Sequence, residues 1–243
     1  MKGPYTGILP HNILSAYWTA HTLLKAFKLS GLQKYLNGAV EAFDILNFYQ
    51  QVWNPPWLDI YAFGGFGVMI TDGEWNDARQ AVFAPAYLDA YRLTGIAEYF
   101  ERGIAALRAA FTLMAIPENK KVSPLTWNVL PTGLCPENFA HPGYDGVFAR
   151  SDSDWGEAGA LSAAALVENT YGGVYVDTAR EKAFGTDGCR VSSLGKTARG
   201  VRSGVTEQLG YSRSVSVVTN KGKRRKLNLI ADRTASVVIP AND

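Results

Sequence analysis

The stretch GGFGVMITDGEWNDARQ, residues 64–80, gathers Asp72, Glu74, Asn76, Asp77 and Arg79 around one tryptophan, directly after a glycine-rich apolar run. A second stretch, HPGYDGVFARSDSDWGEAG, residues 141–159, offers His141, Tyr144, Asp145, Arg150, Asp152, Asp154, Trp155 and Glu157. The segments TDGEWNDAR and SDSDWGEAG share a form: acid, acid, Trp, polar or small residue, acid. Two carboxyl groups on opposite sides of a glycosidic bond can serve as acid and as base or nucleophile. Glu74 and Asp77 are one helical turn apart and could share a face. Arg79 could bind an acidic sugar or pair with one of them. The catalytic candidates are therefore Glu74, Asp77, Asp152 and Asp154. Both stretches also have a plain structural reading as helix starts. Thr71 or Asp72 would cap the first, with Glu74 and Asp77 near its positive end. In the second, Asp154 would cap and Glu157 would complete a capping box.

The aromatic residues fit a sugar cleft. Trp53, Trp57, Tyr61, Trp75, Trp127 and Trp155 fall in or beside predicted connections rather than at helix centres. Pyranose rings present C–H faces that stack on indole; the alternative is that these rings simply pack. The candidates for substrate contact are Trp53, Trp57, Trp75, Arg79, Trp127, His141, Tyr144 and Trp155. Elimination from a uronide is a second chemistry open to this set, with His141 and Tyr144 moving protons and Arg79 and Arg150 neutralising the carboxylate. Metal chemistry is poorly supported. Asp72, Asp77, Asp152 and Asp154 do not match an EF-hand loop. The three histidines are scattered, and Cys135 and Cys189 make neither a disulfide framework nor a zinc set. The sequence carries no nucleophile elbow, P-loop or dinucleotide fingerprint. No cofactor is expected.

The elements that must position these residues begin with helices. Apolar spacing predicts helices over Asn12–Leu29, Leu32–Gln50, Trp75–Leu93, Ile96–Met114 and Trp155–Asn169. LLKAFKLSGLQKYL (Leu23–Leu36) aligns without gaps with YLDAYRLTGIAEYF (Tyr87–Phe100), 64 positions later. The shared Ser/Thr-Gly pair predicts a tight turn between two antiparallel helices, and the repeat predicts stacked hairpins. Residues 115–153 hold five prolines and little periodicity, which marks a long connection of functional interest. From about residue 172 the pattern turns to alternation rich in Val, Ser and Thr, in GGVYVDTA, GCRVSS, ARGVRSGVTEQL, SRSVSVVT, KLNLIAD and TASVVIP. The expected organisation is a helical-hairpin region, 1–171, followed by a β-rich region, 172–243.

Bulk composition bounds the rest. With 243 residues, 47% hydrophobic and 19% charged, the chain can build a true core. A net charge of +2 gives no global argument for nucleic acid or membrane as partner. The local exception, NKGKRRK at residues 220–226, reads as an exposed hairpin turn. No apolar run approaches a membrane span, and the N-terminus lacks signal-peptide regions. Compartment is not legible.

The hairpins with an (S/T)G…Y turn, the acidic and aromatic loops, the segment DWGEAGALSAAALVENTYGGVYVD and the C-terminal strands resemble the six-hairpin glycosidase superfamily over roughly residues 10–240. That superfamily includes glycoside hydrolases and heparinase-like polysaccharide lyases on an (α/α) toroid. The resemblance implies a mainly α fold of tandem hairpins of toroid type followed by an antiparallel sheet. It also implies a carbohydrate-active protein acting on an oligo- or polysaccharide, a hydrolase first, a lyase second, or a glycan-binding or structural toroid fragment without turnover. A complete toroid has six hairpins, and five helices fall short of it. The chain would then be a C-terminal portion lacking its N-terminal half, or would close its core as a homo-oligomer.

Overall fold

The computed structural model describes residues 12–56, 60–67, 76–114, 116–117, 132–133, 138–139, 154–197, 200–207 and 210–240; at 78, 138–139, 154–158 and 193 it describes the backbone alone. Contacts divide the chain into two compact units, Met1–Ala163 and Ala164–Asp243.

The first unit is built on two pairs of helices. Helix α1 (Ile13–Ser30) starts at Asn12, whose side chain accepts from Leu14 N at 2.7 Å. It buries Ile13, Ala16, Tyr17, Ala20 and Leu24, a stripe at helical spacing. Gly31 ends it in the left-handed region at φ 67°, donating to Phe27 O at 2.8 Å, and α2 (Gln33–Asn47) begins two residues on. The second pair, α3 (Ala84–Thr94) and α4 (Ala97–Phe111), is joined in the same way: Gly95 sits at φ 79° and donates to Tyr91 O at 2.7 Å. The hydroxyls match too, with Ser30 Oγ and Thr94 Oγ1 each donating to the carbonyl four residues back at 2.7 Å. Within each pair the helices pack together, and α1 also meets α3, where Lys28 Nζ lies 2.6 Å from Asp89 Oδ2. Between the pairs lies an aromatic core. Phe43 stacks at 4.7 Å on Tyr87 and at 5.3 Å on Tyr99. Tyr87 is fully buried and donates to Asn47 Oδ1 at 2.7 Å, and burial holds its hydroxyl well above the usual phenol range. Gly103 permits α4 to approach: a Cβ there would lie 2.8 Å from Tyr87 Cβ.

The second unit, in which α5 (Asp154–Tyr171) ends, is a two-sheet sandwich. The strands are β3 (Val174–Asp177), β4 (Lys182–Gly185), β5 (Arg190–Thr197), β6 (Gly200–Thr206), β7 (Arg213–Thr219), β8 (Arg224–Leu229) and β9 (Thr234–Pro240). One sheet runs β4-β3-β7-β8 and the other β5-β6-β9. Both feed one apolar core: Val174, Val176, Val215, Val217 and Leu229 from the first, Val205 and Ile239 from the second.

These findings overturn the mainly α, toroid-type fold with a single antiparallel sheet. Five helices are present among the described residues, which are 45% helical and 28% strand, and the strands of the β-rich region form two sheets, one of them containing a parallel pair. The physical reason is twofold. Apolar periodicity locates helices but carries no information about ring closure, which came from the resemblance alone. Alternation locates strands but not partners: β3 pairs antiparallel with β4 and parallel with β7, Val174 opposite Val217. The short β4, KAFG, has too few residues to show alternation and has no counterpart in the sequence reading. Among the described residues no helix is long and apolar enough to cross a membrane.

Candidate functional site

The acidic stretch enters the structure at Asn76. Residues Asn76–Asp77 form a short strand, β1, paired antiparallel with β2, Asn138–Phe139, so that Asp77 faces Asn138 and Asn76 faces Phe139. A 3-10 helix, Ala78–Phe83, follows and leads into α3. Its cap is Asp77, in extended backbone, not Thr71 or Asp72. The carboxylate accepts from Arg79 N at 2.8 Å, and Gln80 completes the capping box. Arg79 closes on the same group, with Nε 2.8 Å from Oδ1 and a terminal nitrogen 2.5 Å from Oδ2. The Asp77 side chain is wholly buried, and that of Arg79 is 16% exposed.

The polar side chains beside this pair act as a clamp. Asn76 and Gln80 are both fully buried. Asn76 Nδ2 donates to Ala109 O and to Thr112 Oγ1, each at 2.9 Å, tying β1 to the end of α4. Gln80 Nε2 donates to Asn76 Oδ1, and its Oε1 accepts from Phe66 N at 2.7 Å. Gln50 donates to Gly64 O at 3.1 Å and to Arg102 O at 3.0 Å, and accepts from an Arg102 terminal nitrogen at 3.0 Å. Buried amides satisfied in this way fix backbone segments that hydrophobic packing leaves free to slide. Three connections are therefore gathered at one place: the loop after α2, the acidic stretch, and the segment at Asn138–Phe139, two positions before His141.

The loop after α2 presents aromatic rings. Its ends are held by Gln51 N to Gly65 O and Gly64 N to Gln51 O, both 2.7 Å, and Asn54 Oδ1 accepts from Ala62 N at 2.7 Å. That last bond ties Asn54, the residue after Trp53, to the segment carrying Tyr61 and Phe63, whose ring centroids are 6.3 Å apart. Trp53, Tyr61 and Phe63 are 48%, 57% and 41% exposed. Gly64, at φ 86°, lies so close to α4 that a Cβ would sit 2.5 Å from Ala105 O, which holds the loop against the helix.

Of the residues singled out from the sequence, the structure brings Asp77 and Arg79 together and exposes Trp53. Asp154 and Trp155 open α5, where the backbone alone is described. Glu74, Asp152, Trp57, Trp75, Trp127, His141 and Tyr144 lie outside the described residues. Gln50 and Gln80 are not among the residues singled out from the sequence, and Asn76, though named with the acidic stretch, carries no role there. Their one available signal is position: an amide three residues beyond a capping carboxylate, and another at the end of a predicted helix.

A second charged cluster stands in the sandwich. Arg213 Nε lies 2.8 Å from Glu207 Oε2, and its terminal nitrogens reach Asp187 Oδ2 at 2.7 Å, Asp187 O at 2.9 Å and Cys189 Sγ at 3.3 Å. Burial, then the Asp187 charge, pushes the Cys189 thiol up to about 12. This cysteine is a packed thiol rather than a nucleophile. In a Cys135→Ser background, native Cys189 is expected to react with an aromatic disulfide reagent at pH 8 about a thousandfold more slowly than the urea-unfolded chain. Equal rates would show that the pocket is open.

No protein-family model matches the chain, and no curated protein matches it.

Proposed function

We propose that the protein is carbohydrate-active and that it holds an oligo- or polysaccharide where the aromatic loop, the acidic stretch and the segment before His141 converge. The observation that carries this reading is the exposed trio Trp53, Tyr61 and Phe63 on a loop fastened by main-chain bonds and by Asn54. Exposed rings on a segment tied down by hydrogen bonds can accept pyranose C–H faces at a lower ordering cost. Hydrolysis is the favoured reaction, with Glu74 as one carboxyl and Asp152 or Asp154 as the other. Asp77 drops out of the pair, because its carboxylate is buried and engaged by Arg79 and the cap. The pairing of β1 with β2 supports the meeting of the two acidic stretches, since it lays one beside the residues that lead into the other.

The test is a binding and turnover panel of neutral and uronate-bearing oligosaccharides. Trp53→Ala is expected to weaken binding of the preferred sugar about threefold to tenfold. Glu74→Gln and Asp154→Asn should each abolish release of new reducing ends. Formation of an ultraviolet-absorbing unsaturated product would mean elimination instead. Absence of binding across the panel would sink the carbohydrate reading altogether.

A further inference from the structure

The cationic run at residues 220–226 lies against a second turn. Asn220 N donates to Val176 O at 2.9 Å, and Asn220 Oδ1 accepts from Thr178 N at 3.2 Å and Thr178 Oγ1 at 3.0 Å. The β3–β4 turn and the β7–β8 turn are thereby joined at one end of the sandwich. Lys182 follows the first turn and Lys221–Lys226 form and follow the second; all the cations among them are exposed. The nearby acids are engaged. Asp177 is buried and binds Arg180 at 2.7 Å, Glu181 pairs with Lys196, and Glu168 faces Arg224 at 3.7 Å. Arg224 also donates to Glu168 O at 3.1 Å and to Asn169 O at 2.7 Å. Between Glu207 and Asp232 the sequence holds no acid. Residues 164–243 carry 13 Lys and Arg against 7 Asp and Glu, a net of +6, whereas residues 1–163 carry 11 against 15, a net of −4. The chain's balance of +2 conceals this division.

Charged residues on β8 also guard the end of a sheet against unwanted pairing. That role accounts for one or two cations on the strand; it does not account for charge that continues through the turns. We infer that this end of the sandwich binds an anionic polysaccharide, one bearing carboxylate or sulfate groups along its length. Neither the turns nor β8 carries an aromatic ring on which a nucleic-acid base could stack, so a single-stranded nucleic acid fits less well. The inference rests on the carbohydrate reading for its choice of polyanion.

The experiment uses the full chain and a labelled polygalacturonate oligomer, with a neutral glucan oligomer and duplex DNA as comparisons, each titrated over a range of salt. Wild type should bind the polyuronide with an affinity that falls as salt rises. Lys221→Glu with Lys226→Glu should weaken it on the order of tenfold and flatten the salt dependence, leaving the neutral glucan unaffected. Unchanged polyuronide affinity in the double variant overturns the inference, as does tighter binding of duplex DNA. The two proposals fail separately: Trp53→Ala reports on the aromatic loop through the neutral sugar, and the lysine pair reports on the sandwich through the salt slope.

Discussion

Asp77→Ala is expected to destabilise the full chain by about 3–5 kcal/mol, the range found when one partner of a buried ion pair is removed. Three losses coincide. The 3-10 helix loses its capping oxygen, which alone is worth ~1 kcal/mol. Arg79, only 16% exposed, loses a carboxylate that meets it at two nitrogens. The capping box loses its Asp77 half, so the Gln80 backbone N–H loses its acceptor while the Gln80 side chain keeps Phe66 N. Asp77→Asn keeps an oxygen for the cap but not the charge, and should fall between wild type and alanine. Urea denaturation read by tryptophan fluorescence measures both, as a lowered midpoint at unchanged slope. A catalytic Asp77 predicts the opposite pattern: an Asn variant as stable as wild type that has lost turnover. That result would return Asp77 to the carboxyl pair and leave its burial unexplained.

What the sequence shows and hides differs between levels. The turn at Ser30-Gly31 and its copy at Thr94-Gly95 are legible because each requires particular residue types. A left-handed C-cap favours glycine, and the hydroxyl reaches the carbonyl one turn back in both. The third helical segment starts at Ala78 rather than at Trp75, where periodicity puts it, because several acids and hydroxyls in a row can all cap and only backbone geometry selects Asp77. The strand at VYVD follows from a short Val-rich run, buried throughout, and the strand at SVSVVT from Val alternating with Ser at its start. The division into two sheets does not, because pairing depends on which edges meet and a parallel partner can lie far along the chain, as β7 does for β3. The site divides in the same way. An exposed tryptophan in a proline-bounded loop is recognisable by composition. The buried amides Gln50, Asn76 and Gln80 are not, since nothing local tells a buried amide from a solvated one.

Arg213→Met should cost the sandwich about 3 kcal/mol, and the cost should depend on pH. Arg213 stands on β7, in one sheet, and Glu207 follows β6, in the other, so the guanidinium links the two layers as well as the β4–β5 turn at Asp187. Glu207 is buried with its side chain fully covered, and methionine supplies the volume of the arginine stem but no charge to face it. Burial raises the Asp187 carboxyl, yet the hydrogen bonds and charge of Arg213 outweigh it and hold the group below its ordinary value of 3.8. A carboxyl depressed in the folded state adds stability that is fully present above that ordinary value and is lost as pH falls through the folded one. The gap between wild type and Arg213→Met should therefore be widest near neutrality and should shrink as pH drops below 3.8. Urea midpoints measured from neutral pH down to about pH 2 follow that gap. A gap that persists undiminished in acid would show that Arg213 supports the sandwich by packing alone. A gap that closes would assign the link between the sheets to charge, carried by Arg213 and the two carboxylates it faces, Asp187 and Glu207.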